Sequence, residues 1–254
     1  VYPQGINTWS VPAWNSGVWW DNSVYDDVGH INALIDSVIS NFAIDTNRIY
    51  AAGFSNGGFM AYDLACELPE RIVAFGSVSG NFMKNSDQDC NCDRDIPIIH
   101  IHGTSDQIVF SDPPPIDFSM TAMQAMEWWS IENNLTEQAY EELNNSVNIF
   151  TKFSLNSPAE FIHIQVEGGG HEWFDYDWGF HASEELLDFF MQYYNPIEVL
   201  SALRTIKEYA QANGGTVMYT ISEGAHEQKI HSQLEAICDL VIQLEVGRMA
   251  AEFE

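Results

Sequence analysis

Basic residues are scarce in this sequence. Lys and Arg account for 9 of 254 residues, against 37 Asp and Glu, which gives a formal net charge of −28. So few cations cannot neutralise a row of phosphates, and we predict no nucleic-acid partner. Long apolar runs are also missing: no stretch of about eighteen apolar residues occurs, so no membrane span is predicted. The balance predicts a solvated acidic surface.

The sequence also lacks two binding patterns. Its four cysteines, Cys66, Cys90, Cys92 and Cys238, do not have the spacing of a zinc site, and no Gly-x-x-x-x-Gly-Lys-Ser/Thr loop is present. Cys66 lies in a predicted helix, whereas Cys90 and Cys92 lie in a polar loop. We therefore consider a disulfide from Cys66 to Cys90 or Cys92, with free thiols as the alternative. A disulfide would imply an oxidising compartment.

A shift in charge divides the chain. Residues 1–195 hold 28 acids and 5 bases, and residues 196–254 hold 9 acids and 4 bases, with Asn195-Pro196 at the join. We predict a domain over 1–195 and a separate C-terminal segment over 196–254. The chain begins with Val1 rather than Met. We therefore expect a fragment or a processed form, with any signal peptide outside this sequence.

Along the chain, the spacing of apolar residues alternates between the spacing typical of strands and that typical of helices. In the first domain it predicts helices over 26–41, 59–67, 120–133 and 183–194, and strands over 48–54, 72–79, 96–103, 148–155 and 160–167. This alternation is typical of an α/β fold with a largely parallel sheet covered on both faces. The segment 196–254 is predicted as helix, strand, helix and strand.

The segment Gly53-Phe54-Ser55-Asn56-Gly57 lies where a predicted strand turns into a helix. A nucleophile elbow needs a serine at such a strained turn, with small residues two places before and two after it to avoid clashes. The alternative is a glycine-rich turn with an idle serine. The strand before it and the helix after it favour Ser55 as a nucleophile.

An elbow of this kind requires an acid and then a histidine, each after a later strand. Asp106 follows the strand that ends at Gly103, and His171 follows a strand and three glycines. His171 would take the proton of Ser55, and Asp106 would orient the imidazole. Asp112, further out on a proline-rich loop, is the alternative acid. The backbone amide of Asn56 would donate to the oxyanion.

The remaining histidines and tryptophans have two interpretations each. His100 and His102 point to one face of a strand, and His163 alternates within another, so we assign all three a structural role rather than a catalytic one. Trp19, Trp20 and Trp173 either form an aromatic wall for substrate or pack in the core.

Seven motifs over residues 1–195 carry a resemblance. They are Tyr2-Pro3-Gln4, Trp19-Trp20, Asp27-Val28-Gly29, Asp45-Thr46-Asn47-Arg48-Ile49-Tyr50, the elbow with Gly58, His102-Gly103-Thr104-Ser105-Asp106 and Gly169-Gly170-His171-Glu172-Trp173. In this order and spacing they resemble the secreted esterases known as polyhydroxybutyrate depolymerases, which include feruloyl and acetylxylan esterases. The resemblance implies an α/β-hydrolase, extracellular or periplasmic, that cleaves small or polymeric carboxylic esters without a cofactor.

The chain departs from that family at both ends. The family has strands before the Tyr-Pro-Gln segment, and a His-Gly turn there supplies a second oxyanion amide; both are missing here. We therefore expect an exposed sheet edge and an incomplete oxyanion hole. The tail is similar to the end of a RecA- or KaiC-like ATPase core, but without a phosphate loop it does not predict nucleotide binding.

Three hypotheses follow. The first is a serine esterase that acts through an acyl-enzyme on polyhydroxyalkanoate, feruloyl or acetyl polysaccharide esters. The second is a catalytically impaired fragment or chimera of such an esterase. The third is an ATPase-like regulatory module fused to a hydrolase. The same three catalytic residue types also serve peptidases.

Overall fold

The computed structural model describes residues 1–7, 12–16, 25–83, 90, 94–111 and 119–193. The chain divides into two units, Val1–Tyr193 and Tyr194–Glu254, and all of the described residues lie in the first. The predicted segment 196–254 lies outside the described residues, as do Trp19, Trp20, Cys92 and Asp112. Within the described ranges no helix has the length and apolarity needed to cross a membrane.

Apart from a short 3-10 helix at Tyr176–Trp178, four α-helices and two sheets make up the described part of this unit. In chain order they are β1 (Ile6–Asn7), β2 (Pro12–Ala13), α1 (Asp27–Asn41), β3 (Tyr50–Phe54), α2 (Asn56–Glu67), β4 (Ala74–Val78), β5 (Ile98–Gly103), α3 (Ala122–Glu132), β6 (Glu137–Asn144), β7 (Val147–Phe153), β8 (Glu160–Val166) and α4 (Ala182–Gln192). The larger sheet has the order β3-β4-β5-β8-β7-β6. Its first four strands are parallel, and β7 and β6 are antiparallel to their neighbours. The expected mostly parallel α/β sheet is confirmed.

Local side-chain signals start two of the helices. Asp26 accepts the Gly29 amide at the start of α1. At the start of α3, Thr121 and Gln124 form a reciprocal capping box. Helix α2 begins at Asn56, three residues before the predicted start. The two glycines after Asn56 have low helix propensity, which hid this first turn, but packing against the sheet overrides that preference.

Helices cover the two faces of the sheet in separate cores. Helices α1, α2 and α3 cover one face through a cluster that includes Tyr62, Phe75, Ile98, Trp129 and Phe161. Helix α4 covers the other face through Leu186 and Phe189, over Ile99, Ile101 and Ile164. Strand β5 alternates between the two cores, because successive side chains of a strand point to opposite faces. Its even-numbered residues, the histidines among them, therefore face the α2 side.

Strand β6 was not predicted. All of its residues except the last, Asn144, are exposed, and three of them are glutamates. An exposed polar strand has no buried face, so it lacks the apolar alternation on which strand prediction depends. Pairing with β7 in an antiparallel hairpin is what forms it.

A disulfide joins Cys66, near the end of α2, to Cys90, 24 residues later. This is one of the pairings considered for Cys66, and it replaces the alternative of free thiols. Closing a loop of this length in the unfolded chain stabilises the fold by about 3 kcal/mol. The bond thus anchors the helix that begins at the elbow.

Candidate active site

The elbow places Ser55 in a strained conformation between β3 and α2. Its φ of 54° and ψ of −119° lie outside the regions that L-residues prefer. Its amide N–H donates to the Val78 carbonyl at 2.9 Å. A serine before a helix usually caps it, but the Ser55 side chain makes no capping hydrogen bond. The Ser55 hydroxyl can therefore form a hydrogen bond with another side chain.

A lack of space for a side chain explains two of the elbow glycines. A Cβ on Gly53 would lie 2.0 Å from the Gly57 carbonyl oxygen, and one on Gly58 would lie 2.3 Å from the Ser77 hydroxyl. A Cβ on Gly57 would meet no atom within 4 Å. The prediction that Gly57 is small to avoid a clash is thus wrong. The second tight position is Gly58, where α2 passes over the sheet.

Ser55, His171 and Asp106 form a continuous hydrogen-bonded row. His171 Nε2 lies 2.9 Å from Ser55 Oγ, and His171 Nδ1 lies 2.8 Å from Asp106 Oδ2. An ionised carboxylate can only accept, so Nδ1 carries the proton and Nε2 accepts the Ser55 hydroxyl. This is the arrangement in which a histidine can take the serine proton.

The sheet order brings Asp106 and His171 together. Asp106 follows β5 and His171 follows β8, and these strands are neighbours in the sheet. The two loops touch at Gly103, where a Cβ would lie 2.2 Å from the Gly169 carbonyl oxygen. Only a glycine at position 103 lets the loop after β5 and the loop after β8 come this close. The His171 loop is also tied to the residue that follows β4, because the Ser79 hydroxyl donates to the Glu172 carbonyl.

The Asp106 carboxylate is buried and held by four donors. Oδ1 accepts the amides of Ile108 and Val109, at 2.8 and 2.9 Å, and Oδ2 lies near the rings of His171 and His102. Burial acts to raise the pKa of Asp106, but the hydrogen bonds outweigh it and lower the pKa to about 2. Asp106 is therefore ionised at neutral pH, as the orienting role requires.

The Asn56 side chain is held by three hydrogen bonds. Its Oδ1 accepts the Trp14 amide at 2.6 Å, and its Nδ2 donates to the Trp14 carbonyl and the Ser16 hydroxyl. These bonds anchor the segment around Trp14 beside the elbow. The Asn56 amide N–H makes no hydrogen bond with the described part of the chain. It lies at the amino end of α2, where the helix dipole favours a negative charge.

An exposed aromatic surface borders His171. Phe54 and Trp173 each expose 37% of their surface. The Phe54 ring lies 4.9 Å from the His171 ring and 6.3 Å from the Trp173 ring, between centroids. Trp173 is held by a hydrogen bond from its indole N–H to the Ser183 hydroxyl. Of the three tryptophans considered for substrate binding, Trp173 alone lies in the described residues, and it lies at the site.

His100, His102 and His163 are buried within the α2-side core. Their packing agrees with the structural role predicted for them. However, His102 Nε2 also lies 3.2 Å from Asp106 Oδ2, a contact that sequence reasoning missed. The available signal was position, because His102 is the penultimate residue of the strand that leads to the acid. Among the described residues, no group of three or more His, Cys, Asp or Glu side chains is arranged to hold a metal.

Known proteins with similar sequences are esterases. The chain matches the model of the Phospholipase/Carboxylesterase family over residues 10–153. It is 31% identical over 158 residues to "Probable feruloyl esterase C" of Aspergillus flavus, covering 60% of this chain and 53% of that protein. It is 27% identical over 169 residues to feruloyl esterase B of Piromyces equi, covering 63% and 31%. A bifunctional acetylxylan esterase/xylanase of Neocallimastix patriciarum is 30% identical over 112 residues, covering 43% and 15%.

The chain spans about half or less of the length of these curated relatives. A solved structure of Arabidopsis thaliana SOBER1 shares the fold, with a TM-score of 0.50 at 13% identity over 77% of this chain and 84% of that one. The expected kinship with feruloyl and acetylxylan esterases is confirmed, and the link to polyhydroxybutyrate depolymerases stays a prediction. The family model covers more than half of the sequence, and the chain therefore belongs to the phospholipase/carboxylesterase family.

Proposed function

We propose that this chain is a serine carboxylic-ester hydrolase with Ser55 as nucleophile, His171 as base and Asp106 as the orienting acid. The observation that carries the proposal is the unbroken row from Ser55 Oγ through His171 to Asp106, with contacts of 2.9 and 2.8 Å. The strained elbow and the membership of a carboxylesterase family support it.

The first half of the reaction forms an acyl-enzyme. Ser55 Oγ attacks the carbonyl carbon of the ester while its proton passes to His171 Nε2. The bond from that carbon to the alcohol oxygen then breaks, and His171 returns the proton to the leaving alcohol. Asp106 stabilises the imidazolium throughout. The Asn56 amide N–H donates to the carbonyl oxygen as negative charge develops on it.

The second half restores the enzyme. A water molecule attacks the acyl carbon and gives one proton to His171 Nε2. The bond from the acyl carbon to Ser55 Oγ breaks, Ser55 recovers the proton from His171, and the carboxylic acid leaves. The products are one acid and one alcohol, and no cofactor takes part.

The substrate class we propose is a feruloyl or acetyl ester of a polysaccharide, with polyhydroxyalkanoate as the third possibility. The names of the relatives support the first two. The exposed rings of Phe54 and Trp173 beside His171 support an aromatic acyl group, because flat rings stack on one another. We also propose an extracellular or periplasmic location, which the Cys66–Cys90 disulfide supports.

The direct test is hydrolysis of p-nitrophenyl acetate and butyrate by the wild type and by Ser55→Ala. We expect the substitution to lower kcat by about 10⁴-fold or more, because the nucleophile is lost. Ser37→Ala, on the exposed face of α1, is the matched control and should keep the full rate. Equal rates for wild type and Ser55→Ala would contradict the proposal. Labelling of Ser55 by a fluorophosphonate without ester turnover would favour the catalytically impaired alternative.

A panel of methyl ferulate, acetylated xylan and a hydroxybutyrate oligomer distinguishes the substrate classes. Trp173→Ala is expected to raise KM for methyl ferulate while leaving KM for acetylated xylan unchanged, because the acetyl ester of the polysaccharide has no aromatic ring that can stack on Trp173. An equal rise for both esters would assign Trp173 to structure rather than to recognition.

A further inference from the structure

A chain of buried polar side chains continues from Asp106 into the core. His102 Nε2 lies 3.2 Å from Asp106 Oδ2 and 2.8 Å from the Val109 carbonyl oxygen. His102 Nδ1 lies 3.0 Å from His100 Nε2. His100 Nδ1 lies 2.8 Å from the Tyr62 hydroxyl. The side chains of Tyr62, His100 and His102 are fully buried, so each of these hydrogen bonds is made within the protein.

When both imidazoles are neutral, the partners of this chain fix the direction of every hydrogen bond. A carboxylate and a carbonyl can only accept, so His102 must carry its proton on Nε2. Its Nδ1 then accepts, which requires the proton of His100 to be on Nε2. The Nδ1 of His100 accepts in turn and takes the proton of the Tyr62 hydroxyl. Every donor in the chain therefore points towards Asp106. With both rings neutral, each ring nitrogen has a hydrogen-bond partner.

We propose that His102 is a positioning residue for Asp106, held in its Nε2–H tautomer by Tyr62 and His100. This inference rests on the proposed esterase function for its kinetic consequence, but the tautomers can be measured without it. His102 holds the acid at two points: it donates to the carboxylate itself and to the carbonyl of Val109. The amide of Val109 donates to the other carboxylate oxygen. The ring thus fixes both the carboxylate and the turn that carries it.

The surroundings keep His100 and Tyr62 neutral. Burial lowers the pKa of His100 well below its ordinary value, and the neighbouring rings of His102 and His163 lower it further. Burial also raises the pKa of the Tyr62 hydroxyl, so this group remains a donor. His163, from β8, contributes its own ring and donates from Nδ1 to the His100 carbonyl. Its pKa is lowered to about 4, mainly by burial.

The geometry also couples the acid to the nucleophile. Tyr62 lies on α2, the helix that begins directly after Ser55, whereas His100 and His102 lie on β5, the strand that leads to Asp106. The hydroxyl of Tyr62 therefore connects the element that carries the nucleophile to the element that carries the acid. A displacement of α2 would break the first hydrogen bond of the chain.

The kinetic test compares variants that differ in the donor at position 102. His102→Leu removes the donor, and we expect kcat for p-nitrophenyl butyrate to fall about 10- to 100-fold with KM unchanged, because a hydrogen bond to a charged group is lost. His102→Gln can still donate from Nε2 and should recover most of the rate. Tyr62→Phe keeps the ring and should lower kcat by a few-fold. His163→Leu is the matched buried control, which should lower the unfolding temperature without changing kcat.

A rate that follows the unfolding temperature across all four variants, with no recovery in His102→Gln, would overturn the proposal.

The second readout, which reports the histidine tautomers, does not need turnover. In ¹⁵N-histidine-labelled protein, long-range ¹H–¹⁵N correlation spectra should show His100 and His102 as neutral Nε2–H tautomers, and Tyr62→Phe should alter the His100 signal. An Nδ1–H tautomer of His102 would overturn the proposal even in an active enzyme. If the wild type hydrolyses no ester, the proposed function fails while the spectra still decide this inference.

Discussion

The parallel strands and the β6–β7 hairpin belong to one sheet but lie in different surroundings. Every residue of β4 and β5 is buried, whereas seven of the eight residues of β6 are exposed. The proposed nucleophile, acid and base follow the carboxyl ends of β3, β5 and β8, all in the parallel part. A strand packed on both faces cannot shift without disturbing two cores, so it holds the loops at its end in fixed positions.

The hairpin has a different relation to the rest of the molecule. Strand β6 pairs with a single neighbour and carries three exposed glutamates, so it contributes to the acidic solvated surface. Nothing in the row from Ser55 to Asp106 contacts it. We therefore expect substitutions in the parallel part to alter both stability and chemistry, and substitutions in the hairpin to alter stability only slightly.

The largest expected effect is at Gly53. Gly53→Ala places a methyl group 2.0 Å from the Gly57 carbonyl oxygen, and because the obstacle is backbone, the elbow must move. We expect a loss of about 3 kcal/mol in the free energy of unfolding. The measurement is urea unfolding followed by circular dichroism.

Gly57→Ala is the matched control, because its added methyl group meets open space on a helix. It should stabilise the protein by about 0.5–1 kcal/mol, since alanine favours a helix over glycine. If both substitutions destabilised the protein equally, the steric account of the elbow would be wrong.

The parts that could be predicted are those in which one local signal decides the outcome. Buried strands such as β5 read as apolar runs, and the order of Ser55, Asp106 and His171 along the chain identified the row that the fold assembles. Strand β6 could not be predicted, because its polar residues show no buried face. The contact of His102 with Asp106 depends on the curl of a loop, which periodicity does not report. The lack of space for a side chain at Gly58 depends on how α2 crosses the sheet.

A smaller effect is expected from the ionisation of Asp106. Its pKa in the folded protein, about 2, lies below the ordinary value of 3.8. The ionised form therefore contributes stability that is fully present above about pH 4 and is lost as the pH falls towards 2; a shift of this size corresponds to about 2 kcal/mol.

Urea unfolding of the wild type and Asp106→Asn between pH 2 and pH 6 measures this contribution. The difference in free energy of unfolding between the two proteins should be constant above about pH 4 and shrink by about 2 kcal/mol at pH 2. The other carboxyl groups titrate in both proteins and cancel in the difference. A difference that did not vary with pH would contradict the assignment of Asp106 as a strongly held carboxylate.

The smallest effect is expected at Tyr140, on β6. Its hydroxyl donates to Asn148 at the surface, and its ring lies 5.3 Å from that of Phe150. Tyr140→Phe keeps the ring contact, so stability should change by less than about 0.5 kcal/mol; Tyr140→Ala loses the contact and should cost about 1 kcal/mol. Both variants should keep the wild-type kcat for p-nitrophenyl butyrate.

The kcat of Tyr140→Ala shows whether the hairpin influences the proposed site. Such an influence is conceivable, because a row of aromatic rings crosses the sheet from the hairpin to the parallel part. Phe150 stacks on His163 at 6.1 Å, and His163 contacts His100 at 5.3 Å. If ring contacts transmitted the packing of the hairpin to Asp106, Tyr140→Ala would lower kcat as His102→Leu does. We expect no such fall, because His163 bonds only to the backbone of His100, and the hydrogen bonds that hold Asp106 run through ring nitrogens it does not touch.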